Sequence, residues 1–397
     1  MSLRLGYMVP EFPGQTHVIF WREIAALRRM GVHLKLVSTK KPSPLICQHD
    51  FARAALAETH YVYPPRLSHL LSWATSNVRS LSSAYHYING LDESQTSFSR
   101  WGMLITAIDL LQWARNARIE HIHGHSCANS AHLLALVRMM GGPSYSLTLH
   151  GDLSVYGYDH AAKMSGAKFV CAVGNHLVEQ IVDQVGIPKA RLFSSFMGVR
   201  TDALTAVSDG RVYDREGLHL VTVARLHQSK GHFHALAAIH QAKKSGLVVH
   251  YTMAGEGYYR DAITSRIEEL GLEAETTLMG TVSEADVFQL LSCADTFVLP
   301  SVGSGEAWPV SVMEAMSAGL PVIASIIGAT PEMITDGIDG FLVPQGAEEA
   351  LLELVTRLHN HHDLRRKIGA EARRTACRRF DVELTAKALV NAICEMD

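Results

Sequence analysis

Two cations, Arg225 and Lys230, stand five positions apart in ARLHQSKGH, where an apolar run gives way to a helical pattern. Two carboxylates, Glu306 and Glu314, stand eight apart in SGEAWPVSVMEAMSAG. A cation pair between a strand end and a helix start suits a diphosphate, arginine binding as a planar fork and lysine as a point charge. Pro309, followed by Val310, fits the first turn of a helix, whose free N–H groups and positive dipole end also attract phosphate. A carboxylate there would repel the same phosphate, so Glu306 and Glu314 suit hydroxyl groups, as on a sugar or a ribose. Spacing alone leaves the plainer reading open, with Glu306 a favourable N-terminal charge and Glu314 a solvated helix residue.

Further candidates follow other strand-like runs. TMAGEGYYRD places Gly255 and Gly257 in a strand-to-helix turn, a pattern more often a tight turn than a phosphate loop. SYSLTLHG puts His150 at a strand's carboxyl end, and PEFPGQTH has Gly14, where a backbone can approach a ligand closely. In HIHGH, the alternate residues His121, His123 and His125 share one face of a strand. Three imidazoles on one straight strand converge poorly on zinc, so structural or substrate-facing roles are expected. No D-x-D run stands in the loops where a divalent metal would be held, and no metal or other cofactor is expected.

These residues need elements to position them. The chain alternates strand-like and helix-like segments. LRLGYMV, HVIFWREIAALRRMG and VHLKLVS make a β-α-β unit. IEHIHGH, SYSLTLHG, AKFVCAV and RLFSSF continue the strands, while residues 42–100 read as helices and loops. After a linker, MGVRTDALTAVSDGRVYDREG, the strands resume as LHLVTVA, LVVHYTMAG, TTLMG, DTFVLPS, LPVIAS and GFLVP. Strands separated by helices imply parallel sheets covered on both faces, with ligands beyond the carboxyl ends of the strands. The expected fold class is therefore α/β, with two doubly wound domains facing a cleft. They are residues 1–200 and 201–379, with a helix over 380–397 crossing back to the first.

The 397 residues exceed one typical core, and 47% hydrophobic against 19% charged residues excludes disorder. No apolar run reaches the roughly 18 residues of a membrane helix; WGMLITAIDLLQW is short and carries Asp109. The start, MSLRLGYMVPEF, lacks the order of regions of a signal peptide. Six scattered cysteines predict free, mostly buried thiols and a cytoplasmic location. Residues 1–200 hold 19 Lys/Arg against 12 Asp/Glu, and residues 201–397 hold 17 against 27. A basic first half suits peripheral contact with an anionic membrane or a lipid-linked phosphate, or serves only solubility; no nucleic-acid partner is expected.

Taken together, the motifs resemble the retaining glycosyltransferases of the GT4 family, with the GT-B fold of two Rossmann-like domains. The resemblance covers nearly the whole chain and is strongest over 217–345. It rests on the glutamate–seven residues–glutamate signature of Glu306 and Glu314 with the E-A-M-x-x-G-x-P-V run intact. EFPGQTHVIFWREI further resembles a subgroup building exopolysaccharide or colanic-acid-type repeat units. The family carries glycine one or two positions after the first glutamate; here Ala307 and Trp308 stand there.

The resemblance implies transfer of a sugar from a nucleotide diphosphate sugar, with UDP as the expected nucleotide, to an acceptor hydroxyl. It implies catalytic roles for Glu306, Arg225, Lys230 and His150. It implies donor-binding roles for Glu314, Gly14, Gly255, Val282, Pro309 and Val310. A sugar or lipid-linked acceptor is expected on the first domain. A sugar-nucleotide epimerase of the same fold, or an inactive nucleotide-sugar-binding partner, is the alternative.

Overall fold

The computed structural model describes residues 3–43, 47, 49–66, 78–92, 100–209, 216–303 and 307–395. The chain divides into two compact units, one of Met1–Met197 with Thr385–Asp397 and one of Gly198–Leu384. Each is an α/β unit built on one parallel sheet, as the alternation of segments predicts.

In the first unit the strands are β1 (Arg4–Met8), β2 (His33–Lys40), β3 (His60–Tyr63), β4 (His121–Gly124), β5 (Ser144–Leu149), β6 (Val170–Ala172) and β7 (Leu192–Ser194). Their order is β3-β2-β1-β4-β5-β6-β7, every pairing parallel. The second unit holds β8 (Leu218–Val223), β9 (Val249–Ala254), β10 (Thr276–Gly280), β11 (Thr296–Leu299), β12 (Val322–Ser325) and β13 (Phe341–Val343). Their order is β10-β9-β8-β11-β12-β13, again all parallel. Strand order therefore reverses direction between β1 and β4 and between β8 and β11. At such a switch point neighbouring loops leave toward opposite faces and open a crevice for ligands.

Sequence and structure agree on why these strands are central. β11 and β12 are buried at every position, as expected where helices cover both faces of a sheet. The helix Val18–Arg29 shows the corresponding one-sided pattern, with Phe20, Ile24 and Leu27 buried. The helix Glu284–Cys293 starts in a capping box between Ser283 and Asp286.

Three expectations need correction. The stretch 42–100 contains β3 as well as helices; only four residues long, it pairs on one side with β2 and offers little periodicity to read. The segment read as a linker carries the helix Thr201–Ser208, anchored by the Thr201 hydroxyl donating to Asp381 Oδ2 at 2.5 Å. All six cysteines are free, but only Cys47, Cys127 and Cys171 are buried; Cys377 and Cys394 are exposed on the last two helices.

The last helix, Val382–Glu395, begins in the second unit and joins the first from Thr385. Its Ala386, Leu389 and Ile393 are buried, and Lys168 Nζ donates to the Ile393 carbonyl at 3.0 Å. Among the described residues no helix is long and apolar enough to cross a membrane.

Candidate functional site

The second unit gathers the cationic residues at its switch point. Arg225 lies in the loop after β8, exposed, and Lys230 closes a short turn of 3-10 helix over Gln228–Lys230. His227 caps this turn, its Nδ1 accepting the Ser229 N–H at 3.1 Å. Gly231 ends it with φ +71°, in the left-handed region where glycine alone is unstrained. The helix His232–Lys244 follows. His232 is buried beneath the loop, 3.4 Å from the Arg225 carbonyl and 3.4 Å from the Tyr251 hydroxyl. Burial pushes its pKa down to about 4, so it is neutral at pH 7 and adds no charge beneath the two cations.

Backbone contacts stitch this loop to its neighbours. Leu226 N–H donates to the Glu256 carbonyl at 3.0 Å, and Tyr259 N–H donates back to Leu226 at 3.2 Å. On the other side Val302 N–H reaches the Ser229 carbonyl at 2.8 Å. A Cβ on Gly255, at φ +145°, would fall 1.9 Å from the Ala224 carbonyl oxygen, and one on Gly231 1.8 Å from that of Pro300. The G-x-G turn is thus required by close approach of two backbones. The loops after β8, β9 and β11 form one interlocked rim at the carboxyl end of the sheet.

On that rim Pro309 precedes the helix Val310–Ser317. Expected as the first helical residue, Pro309 is instead the cap, with extended backbone (φ −69°, ψ 109°), so Val310 is the first turn's leading residue. Glu314 lies within the helix, 6% exposed, which excludes a solvated role. Glu306, with Ser304 and Gly305, lies outside the described residues. Val282 follows β10, next to the Ser283 cap. Trp308, at the position where the resembled family has glycine, donates from its indole to Met313 Sδ at 3.1 Å and packs edge-on against Phe380, 6.2 Å between centroids.

In the first unit, Gly14 is buried in the loop after β1, with the His17 ring 3.0 Å from where its Cβ would stand. His150 follows β5, its backbone N–H donating to the Tyr156 hydroxyl at 2.6 Å. Its Nε2 lies 3.2 Å from His125 Nδ1, and the two rings are near parallel, 5.5 Å apart. Burial lowers both pKa values to about 3, so both rings are neutral at pH 7.

His121 and His123 take the structural alternative: a buried ladder runs along β4 and β5. His121 meets Ser144 Oγ at 2.8 Å and Ser146 Oγ at 2.7 Å, and His123 meets Ser146 Oγ at 2.7 Å and Thr148 Oγ1 at 2.8 Å. Both nitrogens of each ring thus lie at hydrogen-bond distance from hydroxyls of β5.

Three residues not among the expected site residues, Glu23, Tyr7 and Phe20, join this cluster. Glu23, 3% exposed, accepts from the Tyr7 hydroxyl at 2.6 Å, and its Oε2 lies 3.3 Å from His125 Nε2. Phe20 sits 4.9 Å from the His125 ring and 5.3 Å from that of His150. The period of the helix Val18–Arg29 puts both Phe20 and Glu23 on the face of Ile24 and Leu27; only the charge of Glu23 spoke against burial.

Residues 213–375 match the family model described as glycosyl transferases group 1, so this part of the chain carries that domain. A putative colanic acid biosynthesis glycosyltransferase, WcaL of Salmonella typhimurium, is 29% identical over 216 residues, 53% of this chain and 52% of that protein. The amylovoran biosynthesis glycosyltransferase AmsK of Erwinia amylovora is 31% identical over 178 residues, 44% and 43% of the two chains. The chain spans about half the length of the curated relatives it matches. A glycosyltransferase from Rickettsia africae superposes over 100% of both chains with a TM-score of 0.76 at 16% identity. HepE of Anabaena, solved in complex with UDP, superposes over 99% of this chain and 100% of its own with a TM-score of 0.73 at 16% identity. These likenesses identify the fold as GT-B.

Proposed function

We propose that the chain is a glycosyltransferase that moves a sugar from a UDP-sugar to an acceptor hydroxyl in polysaccharide or glycoconjugate assembly, with retention at the anomeric carbon. The observation that carries this reading is the interlocked rim at the β8/β11 switch point. It brings Arg225, Lys230 and the start of the helix Val310–Ser317 to one end of one sheet, with a buried carboxylate, Glu314, on that helix. The relatives named for polysaccharide biosynthesis and the UDP-bound neighbour support it.

Within this reading Arg225 and Lys230 offset charge as the diphosphate leaves, in place of a metal. Preorganised charge of this kind is usually the largest catalytic contribution. Glu314 accepts from ribose hydroxyls. Glu306 and His150 serve the donor sugar, and Gly14 gives the backbone room near it. Gly255, Val282, Pro309 and Val310 line the nucleotide. The leaving phosphate oxygen takes the acceptor's proton as the sugar bond forms on the face that the phosphate leaves. The basic first half holds a sugar or lipid-linked acceptor, and the reaction is placed in the cytoplasm, at the membrane's inner face.

Thermal shift across UDP-, GDP- and ADP-sugars, with and without EDTA, identifies the nucleotide, since a ligand bound only by the native state raises its stability. Product anomer, read by NMR, tests retention. A new sugar nucleotide formed from UDP-sugar alone would replace the transferase by an epimerase. Binding without turnover across an acceptor panel would leave an inactive partner.

A further inference from the structure

Glu23 is a buried carboxylate to which the proposed reaction gives no role. It stands on the helix Val18–Arg29, 3% exposed, with Tyr7 on one side and His125 on the other. A carboxylate so far from water is costly unless its neighbours satisfy it. We propose that Glu23 is a positioning residue that fixes, through His125, which ring nitrogen of His150 carries the proton, and so presents His150 to a sugar hydroxyl as an acceptor. The sugar as ligand rests on the function proposed above; the proton arrangement does not.

The argument runs outward from the carboxylate. The proposed arrangement has Glu23 ionised: its Oε2 accepts the Tyr7 O–H at 2.6 Å and offers its other neighbours lone pairs only. His125 Nε2 lies 3.3 Å from it, at ion-pair distance but not aligned as a hydrogen bond. A bare ring nitrogen there would set lone pair against lone pair in a site with almost no water to screen them. His125 therefore carries its hydrogen on Nε2. A neutral imidazole has only one N–H, which leaves His125 Nδ1 as an acceptor. That nitrogen is 3.2 Å from His150 Nε2, which must donate. His150, also neutral at pH 7, is left with Nδ1 as an acceptor.

The rings have little freedom to escape this arrangement. Phe20 contacts both imidazoles, and Tyr7 lies 4.4 Å from His125 between centroids. His123, whose ring is 4.6 Å from that of His125, has both nitrogens engaged by Ser146 and Thr148, so it does not compete for the same protons.

The test is nitrogen NMR of the full chain with labelled histidine. In the wild type the hydrogen of His150 is expected on Nε2; finding it on Nδ1 overturns the proposal without any variant. Replacing both buried partners, Tyr7→Phe with Glu23→Leu, removes the acceptor without orphaning the phenol. The hydrogen of His150 is then expected to move wholly or partly to Nδ1, whereas Tyr7→Phe alone leaves it on Nε2. A folded double variant with the wild-type pattern overturns the proposal.

Where the wild type turns over a UDP-sugar, the double variant is expected to lose about 10²-fold or more in kcat relative to Tyr7→Phe, with donor KM within about twofold. A wrong histidine tautomer in a hydrolytic triad costs as much as about 10⁴. Absence of turnover in the wild type would sink the transferase reading alone, because the ring-nitrogen pattern decides the role of Glu23 either way.

Discussion

Gly231 and Gly271 make a matched pair for testing how tightly the rim of the second unit is locked. Both end helical turns in the left-handed region, at φ +71° and +62°. A Cβ on Gly271 meets nothing within 4 Å, whereas one on Gly231 would overlap the Pro300 carbonyl oxygen at 1.8 Å. The conformational penalty of alanine is therefore shared, about 1–2 kcal/mol for a left-handed residue. Only Gly231→Ala adds a clash, about 1–3 kcal/mol or more where the neighbour is backbone and cannot turn away. At roughly 2–4 °C per kcal/mol for a unit of this size, Gly271→Ala should lower the melting temperature by about 2–8 °C and Gly231→Ala by about 4–20 °C.

The two variants should also differ in ligand response. Relieving the clash moves Lys230 away from the loop after β11, so on the proposed function Gly231→Ala should lose much of the stabilisation that UDP gives the wild type, while Gly271→Ala keeps it. Calorimetric melts with and without UDP measure both effects. Equal losses in the two variants, or unchanged UDP stabilisation in Gly231→Ala, would refute the interlocking of these loops.

Arg225→Ala should lower kcat by about 10²–10³ with a much smaller loss of UDP affinity, as expected for a group acting on the leaving phosphate; equal losses in both would reduce Arg225 to an anchor. Glu314→Ala should raise the donor dissociation constant by about tenfold to 150-fold, the equivalent of one charge-assisted hydrogen bond of about 1.5–3 kcal/mol, and calorimetric titration reads it directly. Acid should destabilise the first unit. His121, His125, His132 and His150 are held near pKa 3 by burial against an unfolded value of 6.5. Their stabilisation is complete above pH 6.5 and is lost as pH falls toward 3, because the unfolded chain binds protons that the native state refuses. Each such group adds roughly 1.4 kcal/mol per pH unit within that window. Denaturant titrations from pH 7 to 4 measure the slope, and a flat profile would show these imidazoles to be solvated.

What was legible in the sequence follows from where information is local. β8, β9 and β11 are apolar runs ending in glycine, proline or charge, so the loops carrying Arg225, Lys230, Gly255 and Pro309 were found from neighbours in sequence. The histidine ladder was half legible. H-I-H on β4 showed a shared face, but its partners became visible only with the register that sets His121 against Ser144 and His123 against Ser146. Glu23 was legible only by position: helical period sets it beside Phe20, Ile24 and Leu27, but its partners Tyr7, on β1, and His125, just past β4, are far away in sequence. Trp308 is a similar case: its departure from glycine invites a steric reading, while the indole is taken up by Met313 and Phe380.

The placement of Thr385–Asp397 with the first unit has a consequence for the order of events on the ribosome. The first unit lacks Ala386, Leu389 and Ile393 until the whole of the second unit has been made. Its sheet can assemble early, but the side later covered by those residues stays open throughout synthesis of the second unit. Such a nascent chain is a natural client for a holding chaperone, and deleting the helix Val382–Glu395 would injure a unit whose strands were made long before it.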